Sequence, residues 1–155
     1  MREAIETFLE SIDPDKYLKY AYNEKCETPV YYSGPVWDKE ELIAAISTLV
    51  GGSWLSAGDQ VHKFERKFSK AVGVSKSLMV NSGSSANLVM LAAAKIVFEW
   101  EDDDEIIVSV VGFPTTIAPI LQNKLKPCFI DIEMDSLNFD LSKIEDAISD
   151  KTKAI

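Results

Sequence analysis

The sequence predicts an α/β fold, a mostly parallel sheet flanked by helices, preceded by a helical and extended N-terminal arm. Three observations predict it. From residue 76 onward, short apolar runs alternate with stretches of helical periodicity. The runs are continuously apolar, as strands buried on both faces are, and crossover helices between them imply parallel pairing. Glycine, proline and aspartate fall at the junctions, where caps and turns require them.

The elements follow in order. Ile5, Phe8, Leu9 and Ile12 recur at helical spacing until Asp13-Pro14 breaks the pattern. Residues 15–22 read as a second short helix carrying Tyr17, Leu18, Tyr20 and Tyr22, and "TPVYYSGPVW" is extended. This arm has no core of its own, so it is expected to drape over another domain or a partner subunit. Asp38 is the expected N-cap of "KEELIAAISTLV", which Gly51-Gly52 ends. After the loop "SWLSAG", a helix is expected from Asp59 to Val72, burying Val61, Phe64, Phe68 and Ala71 and stopping at Gly73. His62, the only histidine, points away from that stripe and reads as solvated. Then come a strand at 77–81, a helix at 85–99, a strand at 105–110, a helix at 115–123 and the strand "PCFIDI". A helix opened by Asp140 and carrying Leu141, Ile144 and Ile148 leads to a last strand beginning at "TKAI". The acidic run Glu99 to Glu105 reads as a solvated turn. A parallel sheet of three strands and a stub leaves an open edge, so the chain is expected to be the first part of a longer protein.

Composition narrows the function. The 155 residues, 46% hydrophobic and 26% charged, suit an ordinary globular chain with a real core. A net charge of −9 argues against nucleic acid or an anionic membrane as partner, though a local site can still take a phosphorylated small ligand. No apolar stretch has transmembrane length, and "MREAIETFLESID" is unlike a secretory signal, which makes the cytoplasm the expected location. Cys26 and Cys128 lack metal-ligand spacing; Cys128, in an apolar run, reads as a buried reduced thiol, and no metal site is expected.

The stretch "VNSGSSAN" places Ser82-Gly83-Ser84-Ser85 at a strand-to-helix joint. A helix N-terminus carries unpaired amides and partial positive charge, glycine admits close approach to the backbone, and serine adds donors. At the carboxyl edge of an α/β sheet that combination makes a phosphate cradle. The same residues serve equally for plain capping by Ser82 or Ser84 with no ligand. The dinucleotide fingerprint and the P-loop are absent, since Gly83 stands alone. The nucleophile elbow nearly fits Gly83-Ser84-Ser85-Ala86-Asn87 but lacks its last glycine, and the one histidine lies upstream.

In "VSVVGFPTTIAPILQ", Gly112 and Phe113 follow the next strand's carboxyl end, and Pro114 opens a helix. Phe113 is either a core residue or, beside the Gly83 joint, a ring that stacks on a flat heteroaromatic whose phosphate sits on the cradle.

On these residues the chain resembles the pyridoxal-phosphate-dependent sugar aminotransferases and their dehydratase relatives, the DegT-type family with the aspartate-aminotransferase-like fold (fold type I). The matching segments are "GDQVHKFERKFSKAVGV", "LMVNSGSSANLVMLAA", "DEIIVSVVGFPTTIAPILQNKLKPCFIDIE" and "LNFDLSKIEDAISDKTKAI", most of residues 54 to 155 in the family's order. "VNSGSSANL", "VVGFPTTIAPILQN" and the arm segment "VYYSGPVWDKEELIAAI" are most similar to the nucleotide-4-keto-6-deoxyhexose 3-dehydratases, especially the branch acting on a CDP carrier. Ordinary aminotransferases of the family show S-G-T-x-A and T-[FW]-x-A-T. Here Ser84 replaces that threonine, and Pro114-Thr115 fills the x-A positions.

The resemblance implies the following. Residues 1–53 form the arm and 54–155 an incomplete cofactor domain. The cofactor is pyridoxal phosphate or pyridoxamine phosphate. Gly83 and Ser84 give it backbone donors, the Ser84 hydroxyl assists, and Phe113 stacks on its ring. Trp54, Ser56 and Gly58 lie in a loop near the sugar nucleotide. Asp131 is a strand-end or turn residue. The catalytic residues, the Schiff-base lysine or the histidine that replaces it, lie beyond Ile155, as do the pyridine-nitrogen aspartate and the cysteines of a [2Fe-2S] cluster. The implied substrate is a nucleotide-linked 4-keto-6-deoxy sugar in deoxysugar and cell-surface polysaccharide synthesis, the assembly a homodimer, and a reductase a further partner. The alternatives are transamination of such a sugar and a non-catalytic dimerisation module.

Overall fold

The computed structural model describes residues 1–12, 34, 38–52 and 56–155. The expected helix at 15–22, the extended segment 28–37, Cys26 and Trp54 lie outside them, apart from Gly34. The chain divides into two compact units, Met1–Ser77 and Leu78–Ile155.

In the first unit, α1 (Arg2–Glu10) and α2 (Lys39–Gly51) pack on a small core of Ile5, Leu9 and Ile43, with Leu42 and Ile46 against it. Phe8, expected on the same face, is exposed. Asp38 caps α2 as predicted, through a reciprocal pair: its carboxylate accepts from the Glu40 amide at 2.7 Å, and Glu41 Oε2 accepts from the Asp38 amide at 2.7 Å. α3 (Asp59–Val72) also has its predicted bounds and ends at Gly73 with φ of 74°, a left-handed turn that glycine makes without a Cβ penalty.

The α3 stripe departs from expectation. Phe64 and Phe68 stack on each other with centroids 5.7 Å apart, yet both stay about half exposed, and Ala71 is exposed too. The buried residue is Ser69, whose hydroxyl donates to Ser77, which in turn donates to the Glu65 carbonyl. Helical periodicity identifies an apolar stripe but not what covers it. His62 is exposed, with Nδ1 3.5 Å from Glu65 Oε2.

The second unit is α/β. Its elements are α4 (Gly83–Val97), β1 (Glu105–Ser109), α5 (Pro114–Gln122), β2 (Lys126–Ile130), a 3₁₀ turn (Leu141–Lys143), α6 (Ile144–Ala147) and β3 (Thr152–Ala154). The sheet order is β2-β1-β3, all parallel. β1 and β2 pair in register from Glu105↔Lys126 to Ser109↔Ile130, and β1 meets β3 at Glu105↔Thr152 with an irregularity after it. Central β1 is buried on both faces. Ile106 and Val108 join Leu91, Ile120 and Leu125 in the main core, with Trp100, Ile117 and Ala154 packed on it; Ile107 between them is only 1% exposed.

Two expectations fail here. Residues 77–81 form no strand among the described residues. The apolar run pairs with no strand of the β2-β1-β3 sheet, and Leu78 is 72% exposed. The helix after Asp140 is a 3₁₀ turn followed by a single α-turn, and Ile148 falls beyond it in extended geometry.

The acidic turn is also more than solvated loop. Glu99 and Asp103 take positive φ, and Asp104 is buried with its carboxylate accepting from the Glu101 amide at 2.8 Å. Asp102 pairs with Lys95 and Lys124. Cys128 is a free, half-buried thiol. No described helix is long and apolar enough to cross a membrane.

Candidate functional site

The topology fixes where a ligand would sit. The chain leaves β1 for β2 on one side, then crosses over to β3 on the other. In open α/β sheets such a reversal opens a crevice outside the carboxyl ends of the strands. β1 ends at Ser109, and Gly112 and Phe113 follow it at that edge.

The α4 joint resolves the capping question. Ser82, in extended geometry, is the N-cap, and its hydroxyl oxygen accepts from the Ser85 amide at 3.2 Å. Its carbonyl accepts from the Ala86 amide at 3.0 Å. The amides of Gly83 and Ser84 have no acceptor among the described residues. They are two consecutive donors at the positive end of a helix of 15 residues. A Cβ built on Gly83 would meet nothing within 4 Å, so the space beside its Cα is open.

Phe113 is the N-cap residue of α5, and its carbonyl accepts from the Thr116 amide at 2.9 Å. Phe113 is 63% exposed and joins neither apolar core cluster of the described residues. Thr115 connects this corner to the α4 joint. Its hydroxyl lies 3.0 Å from that of Ser84, and Asn87 Nδ2 donates to its carbonyl at 3.3 Å. Ser84, Asn87 and Thr115 are half-buried, while Gly83 and Phe113 are exposed. The structure thus brings Gly83, Ser84 and Phe113 to one edge of the second unit. Sequence reasoning missed the roles of Thr115 and Asn87. Two signals were available: the departure from the family pattern at the x-A positions, and the position of Asn87 one helical turn after Ser84.

The other predicted residues lie in the first unit. Ser56 and Gly58 line an open depression of about 380 Å³, together with Thr48, Gly52, Asp59 and Gln60. Asp131 follows β2, where its carboxylate accepts from the Ile132 amide at 2.8 Å and its carbonyl from the Asp140 amide at 3.0 Å, a turn residue as expected. Among the described residues no cluster of His, Cys, Asp and Glu could hold a metal ion.

The likeness to known proteins agrees with this architecture. The model of the DegT/DnrJ/EryC1/StrS aminotransferase family matches residues 14–155. The chain is 40% identical over 121 residues to the GDP-4-keto-6-deoxy-D-mannose 3-dehydratase of Yersinia pseudotuberculosis, covering 77% of this chain and 30% of that protein. It is 37% identical over 132 residues to the dTDP-4-dehydro-2,6-dideoxy-D-glucose 3-dehydratase of Saccharopolyspora spinosa, covering 83% of this chain and 28% of that one. The chain therefore spans less than a third of the length of these curated relatives. Among solved structures it superposes on the E. coli GDP-4-keto-6-deoxy-D-mannose-3-dehydratase with bound hydrated PLP, with a TM-score of 0.71, 37% identity, and coverage of 79% of this chain and 32% of that one. The parallel sheet with its flanking helices is accordingly part of a PLP fold type I architecture. On these matches, the chain belongs to the DegT/DnrJ/EryC1/StrS aminotransferase family.

Proposed function

We propose that this chain supplies the phosphate and ring contacts of a pyridoxal-phosphate or pyridoxamine-phosphate site in an enzyme that removes the C3 hydroxyl of a nucleotide-linked 4-keto-6-deoxyhexose, in deoxysugar synthesis for cell-surface polysaccharides. One observation carries it. Gly83 and Ser84 carry amides with no acceptor among the described residues, at the edge that also bears the exposed Phe113, and there is room beside the Gly83 Cα. A phosphate takes up the amides and the helix dipole, and a planar pyridine takes up the ring face. The residues present fit such a group. When bound, it supplies an amine for the C4 ketone and a sink for the electrons released there. This chain's residues bind it, orient it and shield one face of its ring from water.

The dehydratase reading is favoured by the 3-dehydratases among the relatives and by Ser84 and Thr115 standing where aminotransferases carry threonine and alanine. Transamination is the second reading, favoured by the family's own description. We read residues 1–53 as an arm and 54–155 as part of the cofactor domain. Trp54, Ser56 and Gly58 belong to the sugar-nucleotide loop. The acid/base lysine or histidine, and any [2Fe-2S] ligands, are assigned outside these residues. The working enzyme on this reading is a cytoplasmic homodimer, served by a reductase where a cluster is present. The test is to assay the product of the full reading frame with a nucleotide-linked 4-keto-6-deoxyhexose and glutamate, reading the product by mass spectrometry. A 3-deoxy sugar that keeps its ketone supports dehydration. A sugar with amine in place of the C4 carbonyl oxygen overturns dehydration in favour of transamination.

A further inference from the structure

Thr115 touches the binding residues without belonging to either contact surface. It is residue 2 of α5, directly after Pro114, and so lies two residues from the Phe113 ring. Its hydroxyl meets the Ser84 hydroxyl at 3.0 Å, and its carbonyl receives Asn87 Nδ2 at 3.3 Å. These two contacts tie the first turn of α5 to the first turn of α4. Neither Ser84 nor Thr115 is needed as a cap, since Ser82 caps α4 and α5 has no side-chain cap. Pro114 offers no amide, so the α5 corner has one fewer backbone donor with which to fix itself.

From this geometry we infer that Thr115 is a positioning residue. The Ser84–Thr115–Asn87 contacts hold the phosphate cradle and the Phe113 ring at the spacing of a phosphorylated aromatic ligand. The inference rests on the cofactor reading above and deepens it. A ligand that spans two subsites gains affinity over its halves only while the subsites keep the right separation, because the second contact is then effectively intramolecular. Losing the hydroxyl pair leaves each subsite intact but loosens the distance between them. The predicted signature is therefore selective. A ligand using both subsites weakens, and a ligand using the cradle alone does not.

The experiment is a ³¹P NMR titration of the full chain with pyridoxamine 5′-phosphate and, separately, with inorganic phosphate. Thr115→Val removes the hydroxyl and keeps the shape. It is expected to weaken pyridoxamine 5′-phosphate about tenfold, the scale of one hydrogen bond, with inorganic phosphate unchanged and Thr115→Ser restoring the wild-type value. If Thr115→Val unfolds the chain, Asn87→Ala breaks the other contact between the two helix starts and is expected to show the same selectivity. Unchanged pyridoxamine 5′-phosphate binding overturns the inference, as does an equal loss for both ligands, which would make Thr115 a direct phosphate donor. Gly83→Val separates the two levels. If it leaves both ligands bound as in wild type, the cofactor reading itself fails, and the inference fails with it.

Discussion

Ser149 Oγ donates to Glu105 Oε2 at 2.6 Å, across 44 residues of chain. The contact joins the first residue of β1 to the turn just before β3. The other oxygen of the same carboxylate accepts from Lys126 Nζ at 2.9 Å, at the first residue of β2. One carboxylate therefore touches the amino-terminal ends of all three strands' approaches. Asp102 adds Lys95 and Lys124 at the same edge. At the carboxyl edge, with the open space at Gly83 and the exposed Phe113, no carboxylate among the described residues joins the three strands in this way. The Glu105 and Asp102 contacts thus fix the amino-terminal end of the sheet, while the unpaired Gly83 and Ser84 amides lie at the other.

The Glu105 contacts predict a pH dependence. The hydrogen bond from Ser149, and next that from Lys126, hold its carboxyl below the ordinary glutamate range. A group whose folded pKa is depressed stabilises the fold above its unfolded pKa, about 4.3 for glutamate, and loses that contribution as pH falls through the lower folded value. Glu105→Gln should therefore flatten the decline of stability on acidification below that pH, measured by urea unfolding at a series of pH values. An acid limb as steep as that of wild type would contradict it.

Burial at the central strand predicts a graded core. Ile107 and Ile120 are each 1% exposed, so Ile107→Ala or Ile120→Ala should cost about 2–5 kcal/mol. Ile96 is 78% exposed, and Ile96→Ala should stay within about 0.5 kcal/mol. Denaturant midpoints of the three variants test the order.

The capping pair at α2 predicts a local effect. Asp38→Ala removes the acceptor for the Glu40 amide and should cost about 1 kcal/mol. Asp38→Asn keeps a capping oxygen and should recover most of it. Equal losses in the two variants, read by circular dichroism during thermal unfolding, would assign the cost to charge and not to the cap.

The legible parts of the fold were those that local chemistry dictates. Asp38, Gly73 and Pro114 marked helix ends because a cap, a left-handed turn and a missing amide act within a few residues. The runs at 105–109 and 126–130 read as strands because they are short and apolar between turn residues, although only the central run is buried on both faces. The run at 77–81 misled because an apolar run does not declare its pairing partner, and this one joins no strand of the sheet. Phe64 and Phe68 misled because an apolar stripe does not declare its cover. At the site, Gly83 and Phe113 stood out by residue type at a strand-to-helix corner. The Ser84–Thr115 contact did not, because it spans 31 residues and depends on two helices starting side by side.

The most direct test of the site is Gly83→Val, read for both ligand binding and stability. A Cβ there meets nothing within 4 Å, so the substitution should leave thermal unfolding close to that of wild type, less the modest cost of a β-branched residue at a helix start. It should also place a branched side chain beside the cradle at the start of α4 and remove saturable binding of pyridoxamine 5′-phosphate. A stably folded Gly83→Val chain that binds the phosphorylated ligand as well as wild type would contradict the cradle, and with it the account of what this edge of the sheet is for.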